Sequence, residues 1–302
     1  MRSRSATAVL VGGSSRGVAA RLSDYLELTK PGIVTMTVVT TAGGYYMAHA
    51  GVLDLWRFGH TLAASMLLAA GACALNQYME RDVDALMERT RQRPVAAGRI
   101  GGASAFAFGL ALALSGLAYL AVGVNLAAGA AGALALGSYI LVYTPFKRVS
   151  SLSTLVGAVP GAMPPVIGWA AATDAMGFGA GVLFAIMFFW QIPHSLAIMA
   201  MYRDDYARAG LPLLPVIDRT GEATVRQSLV NAAALLVAGV MPSVMGMTGL
   251  VYAVGAVGLG LWFLYLNGRW YLDPSRPRAR RVFFGSLVYL MALFALLAVG
   301  KV

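Results

Sequence analysis

The stretch Asn76–Pro94, NQYMERDVDALMERTRQRP, differs from nearly everything around it. Long runs of Ala, Leu, Val and Gly precede and follow it, whereas it carries Glu80, Asp82, Asp84 and Glu88 and then Arg89, Arg91 and Arg93. Asn76, Glu80 and Asp84 recur every four residues. If the apolar helix before them continues, each step turns about 400°, and the three side chains form one slowly drifting stripe. Carboxylates this close resist full ionisation unless a cation lies among them. Oxygen ligands suit a hard ion such as Mg2+, which takes a few carboxylates and completes its shell with substrate phosphates. The arginines downstream offer planar forks for phosphate oxygens. The stretch therefore reads as a site for a metal-held diphosphate at the mouth of a helical bundle. The competing reading is a solvated helix end with internal ion pairs. The four-residue recurrence and a second acidic cluster at Asp204–Asp205 favour the site.

The surroundings of that stretch define the solvent. The chain has 302 residues, 59% hydrophobic and 12% charged, about half the charged fraction of a soluble domain. Nine apolar runs are long enough to cross a bilayer, near 33–50, 60–79, 103–123, 125–143, 152–172, 177–200, 228–247, 249–267 and 282–300. Two pairs of runs need very tight turns, around Gly123–Asn125 and Gly246–Gly249. With the N-terminus inside, all 23 Lys and Arg residues except Arg57 and Lys301 fall on the cytoplasmic side, as the positive-inside rule requires. The fold expected is thus an all-α polytopic membrane protein: nine transmembrane helices in one bundle, N-terminus cytoplasmic and C-terminus outside. Residues 1–23 read as a disordered cytoplasmic tail and 24–302 as a single transmembrane domain. The apolar residues 6–11 are cut short by Gly12–Arg16 and do not read as a cleavable signal. The net charge of +10 belongs to the membrane surface, and no nucleic-acid signal accompanies it. Cys73 is the only cysteine, which rules out an internal disulfide.

Other polar residues stand at the ends of these runs or inside them. Lys30, before Pro31 and Gly32, opens the first span. Tyr143, Lys147 and Arg148 close the fourth, as headgroup anchors or as phosphate ligands. Pro164 and Pro165 within the fifth remove backbone donors and are expected to kink or open the helix where it lines a cavity. His194 closes the sixth, and a histidine in a span usually has a specific partner. Tyr202, Arg203, Asp204, Asp205 and Arg208 follow it. A faint repeat at an offset of 122 relates Tyr143 to Tyr265 and Asp82 to Asp204, as if two four-helix halves each offered an acidic end to a shared pocket.

Asn76, Glu80 and Asp84 followed by Arg89-Thr90 and Arg93-Pro94 resemble the first signature of the UbiA-type intramembrane prenyltransferases. Within that superfamily the sequence is most similar to the protoheme IX farnesyltransferase (heme O synthase) branch. Further matches are Thr29–Gly32, Tyr143-Thr144 with Lys147-Arg148, Gly161–Pro165 with Gly168-Trp169, Pro193-His194, Tyr202–Tyr206, Ala209-Gly210 and Leu214–Val216, all in order. Two positions depart from the superfamily. Glu80 stands where Asp is usual, and Arg208 and Ala209 replace the acids that would complete a second Asp-x-x-x-Asp signature.

The resemblance implies transfer of a farnesyl group from farnesyl diphosphate to the 2-vinyl group of heme b, with addition of water, giving heme O. It implies Mg2+ as cofactor and a bacterial cytoplasmic (inner) membrane location. It also implies membrane lipid as surroundings and a downstream heme A synthase or oxidase-assembly protein as partner. Asn76, Glu80, Asp84, Asp204 and Asp205 are then the expected metal ligands. Lys30, Arg89, Arg93, Lys147 and Arg148 are expected on the diphosphate, with Tyr143, Tyr202, Arg203, Asp204 and Arg208 around the substrates. His194 is expected at the heme, as iron ligand or as base for the added water. Two other readings stay open. An aromatic or quinone prenyltransferase would share the diphosphate apparatus; a polytopic transporter would place its acids near the midplane, not at the inner helix ends.

Overall fold

The computed structural model describes residues 17–302. It is all-helical, with no strand among the described residues. An amphipathic helix α1 (Val18–Leu28) precedes the bundle. Eight helices are long and apolar enough to cross a membrane. They are α3 (Leu55–Met79), α5 (Gly102–Val124), α6 (Leu126–Phe146), α7 (Ser153–Thr173), α8 (Phe178–Met201), α11 (Glu222–Val244), α12 (Leu250–Leu272) and α13 (Arg276–Gly300). The first expected span is α2 (Pro31–Ala48), whose 18 residues extend about 27 Å at 1.5 Å per residue. Four threonines and two tyrosines make it less apolar than the other eight. The short helices α4 (Arg81–Ala85), α9 (Arg203–Arg208) and α10 (Leu214–Ile217) cluster at one end of the bundle.

Three sequence expectations change. Residues 18–23, assigned to a tail, form the first half of α1, while residues 1–16 lie outside the described residues. The α3 helix does not run on through the acidic stripe; it ends at Met79, and Glu80 is its C-cap. The four-residue spacing survives because Glu80 N–H still donates to Asn76 O at 2.9 Å and Asp84 N–H to Glu80 O at 2.7 Å. The prolines of α7 do not open it, since Ser153–Thr173 is one continuous helix with Pro160, Pro164 and Pro165 inside. Pro160 and Pro164 line a cavity instead.

The tight turns have local causes. Asn125 alone joins α5 to α6 in an extended conformation. Its Oδ1 caps α6 by accepting from Ala128 N–H at 2.7 Å, while Nδ2 donates to Ala170 O and Ala171 O of α7. Gly246, at φ +69°, turns the chain between α11 and α12.

Small residues set the helix spacing, as expected where lipid gives no hydrophobic drive for association. A Cβ on Gly44 would lie 2.0 Å from Pro165 O, and one on Gly168 2.0 Å from Thr41 O, so α2 and α7 touch backbone to backbone. Gly71 and Gly116 bring α3 against α5 in the same way. Two apolar cores result. One, with Tyr45, Leu68, Leu120, Met163 and Ile167, unites α2, α3, α5, α6 and α7. The other, with Trp190, Tyr252, Phe263, Trp270 and Tyr289, unites α8, α11, α12 and α13.

Candidate active site

Three buried polar side chains mark the end of the bundle where α3 stops: Asn76, Glu80 and Asp84, at 3, 4 and 1% exposure. Each meets a cation from a different segment. Lys30, the left-handed cap of α2 (φ 54°), donates through Nζ to Asn76 Oδ1 at 2.8 Å. Lys147, just past α6, lies 2.6 Å from Glu80 Oε1. Arg93 gives Nη1 to both carboxylate oxygens of Asp84, each at 2.8 Å. Asn76 Nδ2 also reaches Thr144 Oγ1 at 3.3 Å, which ties α3 to α6.

Burial alone would push the Glu80 carboxyl up. The Lys147 ammonium beside it, helped by Lys30 and Arg93, more than offsets this and holds it below the usual range. Burial pulls the Lys147 ammonium down, but Glu80 and Tyr143 raise it overall. Lys30 meets a neutral amide, not a carboxylate, and burial lowers it.

The second acidic segment packs against the first. Val83, Met87, Met199, Tyr206, Leu211 and Leu213 form one apolar cluster that joins α4 and its following loop to α9. Asp205 accepts from the backbone N–H groups of Glu88 and Arg89, each at 3.4 Å, and from Arg208. Arg89 donates to Tyr206 Oη at 3.1 Å and lies over the Tyr202 ring at 5.1 Å.

Not every expected residue joins this cluster. Arg148 stays at the rim in a two-pronged contact with Asp82, at 2.7 and 2.8 Å. Asp204 is exposed, 3.9 Å from Arg276, and lines a separate surface pocket with Arg203. Among the described residues no three Asp, Glu, His or Cys side chains gather as a metal-ligand group. Asp204 faces away from Asp205, and Asp84 and Asp205 are each paired with an arginine.

Beneath the charged cluster an apolar chamber of about 490 Å3 runs between α2, α3, α6, α7, α8 and α13. Tyr143 lines it near the cluster, and His194 lines it from α8. The His194 ring stacks on Trp190 at 5.0 Å, and its Nδ1 lies 2.7 Å from Ser286 Oγ on α13. Sequence reasoning missed Tyr139, Gln191 and Ser286. Tyr139 and Gln191 line the chamber, and Gln191 donates to Ala158 O at 2.7 Å. A glutamine within an apolar run was the available signal. Ser286 gives none, because an isolated serine in a span is ordinary. A larger groove of about 1070 Å3, between α12 and α13, holds Arg276, Arg280 and Arg281 but none of the buried acids.

A helical membrane bundle that seats buried acids and cations over an apolar chamber is built to handle an anionic head on an apolar tail, as an intramembrane prenyltransferase does. The chain belongs to the UbiA prenyltransferase family, whose model matches residues 37–295. It is similar to proteins named protoheme IX farnesyltransferase. The one from Solibacter usitatus is 43% identical, with 93% of this chain and 99% of that protein covered. The one from Opitutus terrae is 40% identical, with 93% and 96% covered. The one from Myxococcus xanthus is 42% identical, with 93% and 95% covered. Among solved structures, the fold is similar to an apo UbiA homolog from Aeropyrum pernix K1, at TM-score 0.72 and 20% identity over 88% of this chain and 98% of that one. It is also similar to a UbiA homolog from Archaeoglobus fulgidus bound to GPP and Mg2+, at TM-score 0.66 and 19% identity over 91% and 99%.

Proposed function

We propose that this protein joins C1 of the farnesyl group of farnesyl diphosphate to the 2-vinyl group of heme b, in a bacterial inner membrane, with water added to give heme O. The observation that carries the reading is the meeting of Lys30, Arg93 and Lys147 with Asn76, Glu80 and Asp84 at the head of the chamber. The relatives' shared name supplies the acceptor.

The buried amide and carboxylate oxygens of Asn76, Glu80 and Asp84 are hard donors on one stripe and fit Mg2+. Bound there, the ion would supply positive charge to the departing diphosphate. Lys30, Lys147 and Arg93, released from their present partners, would then face phosphate oxygens and stabilise the charge that develops as the C1–O bond breaks. The chamber walls keep water from the allylic cation until the vinyl carbon has attacked it. The C–C bond leaves positive charge on the carbon next to the porphyrin. Water captures that carbon and loses a proton, so heme b, farnesyl diphosphate and water become heme O, diphosphate and a proton. Arg89, on the Tyr202 and Tyr206 rings, is the further cation that this reading assigns to the leaving diphosphate.

The test incubates the purified protein with heme b, farnesyl diphosphate and Mg2+ and searches for heme O by mass spectrometry. Product that needs all three supports the reading. Farnesylation of an aromatic or quinone precursor in its place, with heme b untouched, overturns it.

A further inference from the structure

Ser286 has a single hydroxyl proton, and two groups compete for it. The hydroxyl donates to Phe283 O, one turn earlier on α13, at 2.6 Å. His194 Nδ1 lies 2.7 Å from the same oxygen. With the proton committed to the carbonyl, Ser286 Oγ meets the imidazole only with a lone pair. A bare Nδ1 would then set two lone pairs against each other at 2.7 Å. Nδ1 must therefore carry the hydrogen, and the unshared pair of the neutral ring falls on Nε2.

The rest of the geometry fixes that assignment in space. Trp190 Nε1 donates to the backbone carbonyl of Ser286 at 2.7 Å, clamping α13 to α8 at this level. The imidazole stacks on Trp190 (5.0 Å, 21°) and packs against Phe283 (5.1 Å, 32°). Ser286 is fully buried, while His194 keeps part of its surface in the chamber. Among the described residues Nε2 has no hydrogen-bond partner, and no carboxylate pairs with the ring. The result is a ring held at three points, with one basic nitrogen left for whatever enters the chamber.

We infer that Ser286 is a positioning residue that holds His194 as the Nδ1–H tautomer, leaving Nε2 to donate its lone pair to the iron of a heme b docked at the α8–α13 wall. Histidines that bind metals characteristically donate their other ring N–H to a neighbouring acceptor, which orients the ring and raises its basicity. A buried serine whose own proton is spent elsewhere is such an acceptor. The inference rests on the proposed function for the identity of the heme; the tautomer follows from the two hydrogen bonds.

The experiment adds ferric heme b to the purified full-length protein and records electron paramagnetic resonance and resonance Raman spectra, with heme affinity from absorption titration. In the wild type, a nitrogen-ligated iron is expected. His194→Gly should lose that signature, and added imidazole should restore it. Ser286→Ala should weaken heme affinity about 10- to 100-fold and lower the iron–histidine stretching frequency after reduction. Ser286→Thr, which keeps the hydroxyl, should return both towards wild type. Farnesyl diphosphate affinity, measured by calorimetry with Mg2+, should be equal in the wild type and the two Ser286 variants and certifies their folding, while imidazole rescue does so for His194→Gly. Wild-type heme affinity and stretching frequency in Ser286→Ala would overturn the positioning role. A His194→Gly spectrum matching the wild type would overturn iron ligation. If the wild type binds farnesyl diphosphate yet no heme, the proposed function itself falls, and this inference with it.

Discussion

Glu80 and Lys147 bury opposite charges 2.6 Å apart where the C-terminal ends of α3 and α6 meet. Desolvating two ions costs several kcal/mol each, so such a pair adds little net stability but is expensive to break. An arrangement of this kind is retained for what it does, and here it keeps a carboxylate ionised with a cation beside it in an apolar mouth. Asp84, paired with Arg93, is the sharpest test of that role. Asp84→Asn should lower turnover at least about 100-fold while the protein still inserts in membranes; turnover measured on reconstituted protein checks it, and wild-type rates would refute it. Asp82 is a rim residue with a different prediction. The Arg148 guanidinium bonded to it, against slight burial, brings its pKa down to about 2. A depressed folded-state value means stability fully present above the unfolded pKa of about 3.9 and lost as pH falls from about 4 towards 2. Because the pair is exposed, the amount is about 0.5 kcal/mol or less. An NMR titration of the Asp82 carboxyl should give a lower midpoint in the wild type than in Arg148→Ala, and equal midpoints would refute the pairing.

At the scale of elements, the Asn76–Glu80–Asp84 stripe was legible because four-residue spacing persists in the backbone hydrogen bonds even where α3 gives way to α4. The break at Glu80 was not legible, since no Gly or Pro marks it. The prolines of α7 misled for the opposite reason. They signal an interrupted helix in isolation, but the chamber on one side and α2 on the other accommodate them. Contact between α2 and α7 rests on Gly44 and Gly168. Gly168→Ala would place a methyl 2.0 Å from the Thr41 carbonyl, so backbones must part. A loss of about 1–3 kcal/mol is expected, read as a fall of several degrees in the melting temperature of the detergent-solubilised protein. Gly181→Ala on α8 meets nothing within 4 Å and should leave the melting temperature unchanged or slightly higher.

For the whole molecule, the distribution of basic residues predicts an orientation, with the acid cluster on the cytoplasmic side. Arg57 pairs with Asp174, and Lys301 donates to the carbonyls of Tyr46 and His49, at the end opposite the acid cluster. A Cys73→Ala background carrying Arg219→Cys should react with a membrane-impermeant maleimide only in inverted vesicles. Val52→Cys in the same background should react only in spheroplasts, and the reverse pattern would overturn the orientation. Both positions are exposed, so a silent result from burial is avoided.

What the sequence by itself determined is a helical membrane bundle, its family resemblance, and which acids and cations crowd one end. Apolar run length, four-residue spacing and the bias of Lys and Arg are all local or additive properties that a linear reading can sum. The tertiary structure alone decided the partners. It gave Lys30 to Asn76, Lys147 to Glu80 and Arg93 to Asp84, set Asp204 apart from Asp205, and brought Ser286 across 92 residues to His194. Adjacent residues on a helix point about 100° apart, so the neighbours Asp204 and Asp205 were bound to face different surroundings. Which of them faces the site depends on how α9 packs on the loop after α4, and that packing is set by apolar contacts between segments more than a hundred residues apart.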